Sequence, residues 1–148
     1  MNTIHSYLTF NGNCREAMTF YQQCLGGELV FQTIGETPLS QSLPTKMKNL
    51  ILHSSLTNGN LLLTGSDMAP ETGFTRGNAV SLLWSSGSEK KLKSCYKKLS
   101  AGGQVTHPLE KNFWGAIFGG LTDQFGNHWL FNCLPEQKRT NNLAINQN

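Results

Sequence analysis

One pattern is written twice along this chain, and that repetition limits the fold more than any single residue does. Ile4–Phe10 reads as a strand, turned by Asn11-Gly12-Asn13, and Asn13 with Glu16 three residues on reads as a helix cap and partial capping box. Ala17, Phe20, Tyr21, Cys24 and Leu25 then recur with helical spacing until Gly26-Gly27 stops them. Glu28–Ile34 is the next strand. A loop over 35–49 holding Pro38 and Pro44 follows, then the apolar runs Leu50–Thr57 and Asn60–Thr64 around an Asn58-Gly59 hairpin signal. The order is β-α-β-β-β.

It then recurs. Ala79–Trp84 reads as a strand and Ser88 as a cap. Leu92, Cys95, Tyr96 and Leu99 form a helical stripe, and Gly102-Gly103 is the stop. Gln104–His107 starts a strand, followed by Gly115–Leu121 and His128–Asn132 around Asp123-Gln124-Phe125-Gly126-Asn127. Phe20 stands before Gly26 as Tyr96 stands before Gly102. Each half is one supersecondary unit. The expected organisation is one domain over 1–134, with module one at 1–68, a linker at 69–76 and module two at 77–134. A polar, Asn/Gln-rich tail fills 135–148.

Composition narrows the function. Of 148 residues 38% are apolar and 14% charged, and no apolar run approaches the ~20 needed to span a bilayer. The N-terminus lacks a basic flank with an apolar signal core, so the expectation is a soluble, cytoplasmic protein with no membrane partner. The net charge is +3, with Lys90, Lys91, Lys93, Lys97 and Lys98 together on the second helix. This is the pattern of a solvated helix face, and no motif for nucleic acid accompanies it. Cys14, Cys24, Cys95 and Cys133 are widely spaced, as reduced thiols are. No glycine cluster has nucleotide-binding spacing, and no Gly-rich strand-to-helix loop suits S-adenosylmethionine.

Tyr7-Leu8-Thr9-Phe10-Asn11-Gly12-Asn13-Cys14-Arg15-Glu16-Ala17-Met18-Thr19-Phe20-Tyr21, ending at Leu25-Gly26-Gly27, resembles the opening of the PhnB-like branch of the glyoxalase/bleomycin-resistance (vicinal oxygen chelate) superfamily. Phe113-Trp114-Gly115, Phe118-Gly119 and Leu121–Trp129 resemble its closing signature, and His53 and Ser66-Asp67 fall where that branch has them. The resemblance covers roughly 3–133. It implies an α+β fold of two βαβββ modules, a curved, partly open mixed sheet around a cleft, and a homodimer. It also implies a divalent metal, whose four ligand positions fall at His5, near Leu62, at Asn78 and at Leu130. One His, one Asn and two Leu do not make a ligand set, so no metal and no other cofactor is expected.

Strand alternation across that cleft places His5, Tyr7, His53, Ser55, Leu62, Thr64, Asn78, Leu82, Trp84, His128, Leu130 and Asn132 on its face. Leu8, Phe10, Leu52, Leu56, Leu61, Leu63, Leu83, Trp129 and Phe131 then face the helices. His5 and His53 are the candidate bases. Tyr7, Ser55, Asn78, Trp84, Trp114 and His128 are the candidate substrate contacts. His5, His53 and His128 could also converge as a substitute metal site or a proton-handling set. Cys14 opens a helix, where a thiol can be activated, but the small-residue packing role is the stronger reading. Asp67 could cap or bind. Asp123, Gly126 and Asn127 are turn chemistry. Two functions fit: metal-independent lyase- or isomerase-type chemistry on a bound small molecule, or sequestration of a drug or metabolite without turnover.

Overall fold

Both helical stripes form helices, each twelve residues long: α1 at Cys14–Leu25 and α2 at Glu89–Ser100. The computed structural model describes residues 1–134; the expected polar tail lies outside the described residues. Equal helix length sets the repeat's register, so Ala17, Tyr21 and Cys24 of α1 match Leu92, Tyr96 and Leu99 of α2. Tyr96 therefore pairs with Tyr21, one residue from the match that the Gly-Gly stops suggest. No helix is long and apolar enough to cross a membrane among the described residues.

The chain divides into two compact units, the first ending at Thr75 and the second starting at Arg76. The first carries β1 (Ser6–Thr9), α1, β2 (Glu28–Thr33), β3 (Ile51–Asn58) and β4 (Leu61–Ser66). Its sheet runs β1-β4-β3-β2, with β1 parallel to β4 and the other pairs antiparallel. The second carries β5 (Leu82–Ser86), α2, β6 (Gln104–Lys111), β7 (Ile117–Thr122) and β8 (His128–Cys133), in the order β5-β8-β7-β6. The parallel pair is again first with last, β5 with β8. Each unit is thus a βαβββ module with a four-stranded mixed sheet. Three short 3₁₀ turns wind through 34–47, starting at Ile34, the expected end of the strand, and filling most of the expected loop over 35–49.

In the first unit α1 packs Cys14, Ala17, Met18, Tyr21, Cys24 and Leu25 inward, over a sheet face that buries Ser54, Leu56, Leu63 and Gly65. Burial of this apolar surface is the main force holding helix to sheet. In the second unit Leu92 and Leu99 of α2 join Leu121, Trp129 and Phe131. Tyr96 lies edge-on to Phe131, and its hydroxyl donates to the His107 carbonyl at 2.9 Å.

Both helices stop at glycine for a steric reason. Gly27 has φ +103, and a Cβ there would collide with the Thr57 carbonyl; one on Gly103 would collide with the Thr122 carbonyl. Only glycine lets the chain leave the helix so close to a neighbouring strand.

Three local expectations need correction. Asn13 makes no side-chain cap to α1; the Asp67 carboxylate takes that place. Ser88 does cap α2, accepting from the Lys91 N–H at 3.2 Å. The hairpin turns on Gly59-Asn60, since Asn58 still pairs with Leu61. Gly59 has φ 59 and no non-glycine has positive φ among the described residues, which fits glycine leading the turn. Asn58 stays in the strand, where its amide donates to the Leu25 carbonyl at 2.9 Å and closes the end of α1. The turn moves by one residue and each cross-strand partner by two, so Ser55 pairs with Thr64 instead of Leu62, and the side-chain faces are unchanged. At β5 the parity does change. Leu82 and Trp84 pair with Trp129 and Phe131, so they stand on the helix-side face, while Leu83 pairs with Leu130 on the open face.

Candidate functional site

The open face of the first sheet is built from alternate residues of four strands. Across it runs the row Tyr7 of β1, Thr64 of β4, Ser55 of β3 and Val30 of β2. His53 lies two residues along β3 from Ser55, on the same face, opposite Gln32. The Tyr7 and His53 rings lie 6.4 Å apart between centroids, with their planes 27° apart. Both are exposed, Tyr7 at 55%. Neither the His53 ring nor the Tyr7 hydroxyl has a hydrogen-bond partner among the described residues. Thr64 donates its hydroxyl to the Ser6 carbonyl.

Of the expected residues, this face brings together Tyr7, His53 and Ser55. His5 lies ahead of β1, which starts at Ser6, and its Nε2 is 2.8 Å from the Thr3 hydroxyl. In the second unit Asn78 is exposed ahead of β5. Trp84 lies against Phe131 with centroids 6.0 Å apart. Trp114 is at the β6–β7 turn, edge-on to Phe113 with centroids 4.0 Å apart. The Asn112 carboxamide accepts from the Ala116 N–H at 2.9 Å and holds that turn.

His128 is anchored at both nitrogens. Nε2 lies 2.9 Å from the Gly77 carbonyl, and Nδ1 lies 2.9 Å from the Thr122 hydroxyl. A carbonyl only accepts, so Nε2 carries the proton, and in the neutral ring Nδ1 accepts from Thr122. Beside it the Arg76 guanidinium donates to the Asn127 carboxamide at 2.9 Å. His128 thus fastens the segment ahead of β5 to the start of β8. Isolated histidines and glycines give no such pairing signal, so sequence reasoning missed it.

One buried aspartate holds the turns of each unit. Asp67 accepts from the N–H groups of Gly12 (3.0 Å), Cys14 (2.9 Å) and Ile51 (2.8 Å). Asp123 accepts from the N–H groups of Phe125 (2.8 Å) and Asn127 (3.0 Å) and from the Trp129 indole (2.8 Å). The turn role expected of Asp123 holds, and Asp67 is a cap. Cys14 is buried, and burial pushes its thiol from 9.0 to about 11, with the nearby Asp67 charge acting in the same direction. Ser54 commits its proton to the Gly65 carbonyl at 2.8 Å, leaving the Cys14 thiol, 3.5 Å away, to donate. This is the opposite of an activated nucleophile.

The sequence of residues 3–131 matches the profile of the Glyoxalase/Bleomycin resistance protein/Dioxygenase superfamily. The chain belongs to this superfamily. It is 30% identical over 141 residues to the protein YjdN of Escherichia coli (strain K12), covering 88% of this chain and 95% of YjdN. The crystal structure of protein PA1353 from Pseudomonas aeruginosa superposes with a TM-score of 0.79 at 36% identity, over 90% of this chain and 98% of that one. The PhnB protein from Bacillus cereus shares the fold, with a TM-score of 0.71 at 23% identity over 89% and 99% of the two chains. The PhnB-like resemblance carried by Tyr7–Tyr21 and Phe113–Trp129 is in keeping with these relatives.

The superfamily's metal can be tested against the donors present. Leu62 and Leu130 offer no lone pair, and His5 sits outside β1. Among the described residues no three His, Cys, Asp or Glu side chains stand together as a ligand set. The side chains at the four positions do not fit such an ion.

Proposed function

We propose that this protein binds a small organic molecule on the open face of its first sheet, without the divalent metal common in its superfamily. The observation that carries this reading is the exposed Tyr7–His53 pair beside Ser55, set on strands rather than loops. Rigid strands hold side chains more closely in place than loops do. If the bound molecule reacts, His53 is the base: it takes a proton from an acidic C–H and returns it to a neighbouring atom, an isomerisation that needs no other reactant.

Sequestration without turnover is the second reading. It is favoured by the setting of His53, whose ring no carboxylate or carbonyl orients among the described residues. A catalytic base is usually held by such a partner. Pairing of two copies belongs to the same proposal. Leu83 (58% exposed) and Phe118 (46%) leave apolar surface on the open face of the second sheet, which an interface covers. All four cysteines are free thiols, in keeping with a reducing, cytoplasmic setting.

The test is a His53→Ala, His5→Ala double variant assayed for ligand affinity and turnover, with metal analysis of protein purified without chelator. Substoichiometric metal and affinity kept without turnover fit proton chemistry on a bound ligand. Affinity kept in a protein that never turned its ligand over fits sequestration. A stoichiometric divalent ion overturns the metal-free reading.

A further inference from the structure

Resting on the reading that the open face of the first sheet takes a small molecule, we infer that the ligand presents a flat, unsaturated ring system to Tyr7 and His53. Three features of the face lead there. First, the two rings are nearly parallel and within the 4.5–7 Å over which aromatic pairs attract, so they act as one π surface. Both residues are exposed, whereas the Trp84 and Tyr96 rings of the second unit lie against the buried Phe131.

Second, the row has little else to offer. Thr64 has given its hydroxyl to the Ser6 carbonyl, and Val30 closes the far end with apolar surface. No residue of the row Tyr7, Thr64, Ser55, Val30 carries a formal charge. Selection therefore falls to ring contact and apolar area, with the Ser55 hydroxyl as a polar contact beside the rings. Third, the sheet is rigid and holds the two ring planes within 27° of one another. A flat molecule can lie along both, whereas a thick saturated body touches them only at its edges and loses most of the dispersion contact.

The experiment compares two acids of one carbon skeleton and one charge, 2-naphthoate and its saturated counterpart decahydro-2-naphthoate. Binding to the full chain is measured by calorimetry, with the His53 and Tyr7 ring protons followed by NMR. The flat acid should bind at least tenfold more tightly and shift both sets of ring protons upfield, the signature of a stacked ring. Tyr7→Leu and His53→Leu keep apolar bulk and remove the π face; each should weaken 2-naphthoate by about three- to tenfold and leave the saturated acid unchanged. Equal affinity for the two acids overturns the flat-ring inference while small-molecule binding stands. Binding of the flat acid without ring-proton shifts, or unaffected by either substitution, also overturns it. If neither acid binds at millimolar concentration, this inference and the reading beneath it fall together.

Discussion

The central row of each sheet's open face shows how far the two units have diverged on one scaffold. In the first unit it reads Tyr7, Thr64, Ser55, Val30; in the second it reads Leu83, Leu130, Gly120, His107. Strand order, helix length and the Gly-Gly stops are shared. What differs is the chemistry placed on equal positions: three hydroxyl side chains and a valine in one, two leucines, a bare backbone and an imidazole in the other. The lesson is that the fold's demands fall on the helix-side face and the turns, while the open face is left to function.

The same contrast holds for the two buried aspartates, and it predicts the largest effect. Asp67 ties the turn at Gly12 and Cys14 to Ile51, far along the chain, whereas Asp123 closes one turn and one indole. Asp67→Ala should cost about 3–5 kcal/mol in chemical denaturation and Asp123→Ala about 2–4, because buried donors lose a charged acceptor. A greater loss from Asp123→Ala would break the ranking.

The glycine stops come next, and here the units should agree. Gly27→Ala should cost about 3–4 kcal/mol and Gly103→Ala about 2–3, since both meet a strand carbonyl and Gly27 adds a left-handed φ. A neutral effect at either position would show that the shared stop is not a shared constraint.

The first residue of each helix separates the units again. Cys14 is a buried thiol raised to about 11, while Glu89 is exposed between Lys93 (2.9 Å) and Lys111 (3.7 Å). The native state holds the Cys14 proton more tightly than the unfolded chain does. Its contribution is therefore complete below pH 9 and is lost as pH rises through about 11. Wild type should lose roughly 2–3 kcal/mol over that window relative to Cys14→Ala, read from denaturation at stepped pH. The smallest effect belongs to Glu89→Ala. The two lysines hold the Glu89 carboxyl below the usual range, yet solvent screens the pair, and its melting temperature should match wild type.

What the sequence made legible was local. Helical stripes, glycine stops and the Ser88 cap each depend on residues a turn apart, and all three appear. What it hid was long-range. Asn13 looks like a cap until a carboxylate from the end of β4 arrives to take its donors. Asn58-Gly59 looks like the turn until Asn58 is needed at the end of α1. Leu82-Leu83-Trp84 is three apolar residues running, so no alternation announces which of them faces the helix. Of the candidate site, Tyr7, His53 and Ser55 could be grouped from strand parity. The anchoring of His128 could not, because its partner is a backbone carbonyl 51 residues away.

The two aspartate clasps also bear on how such a chain can be recombined. Asp67 and all three of its donors precede Thr75, and Asp123 and its donors follow Arg76. A crossover between those two residues hands each descendant a half with its own clasp intact. Exchange at that one seam lets evolution, or an engineer, pair a new open face with an old one without re-solving either turn.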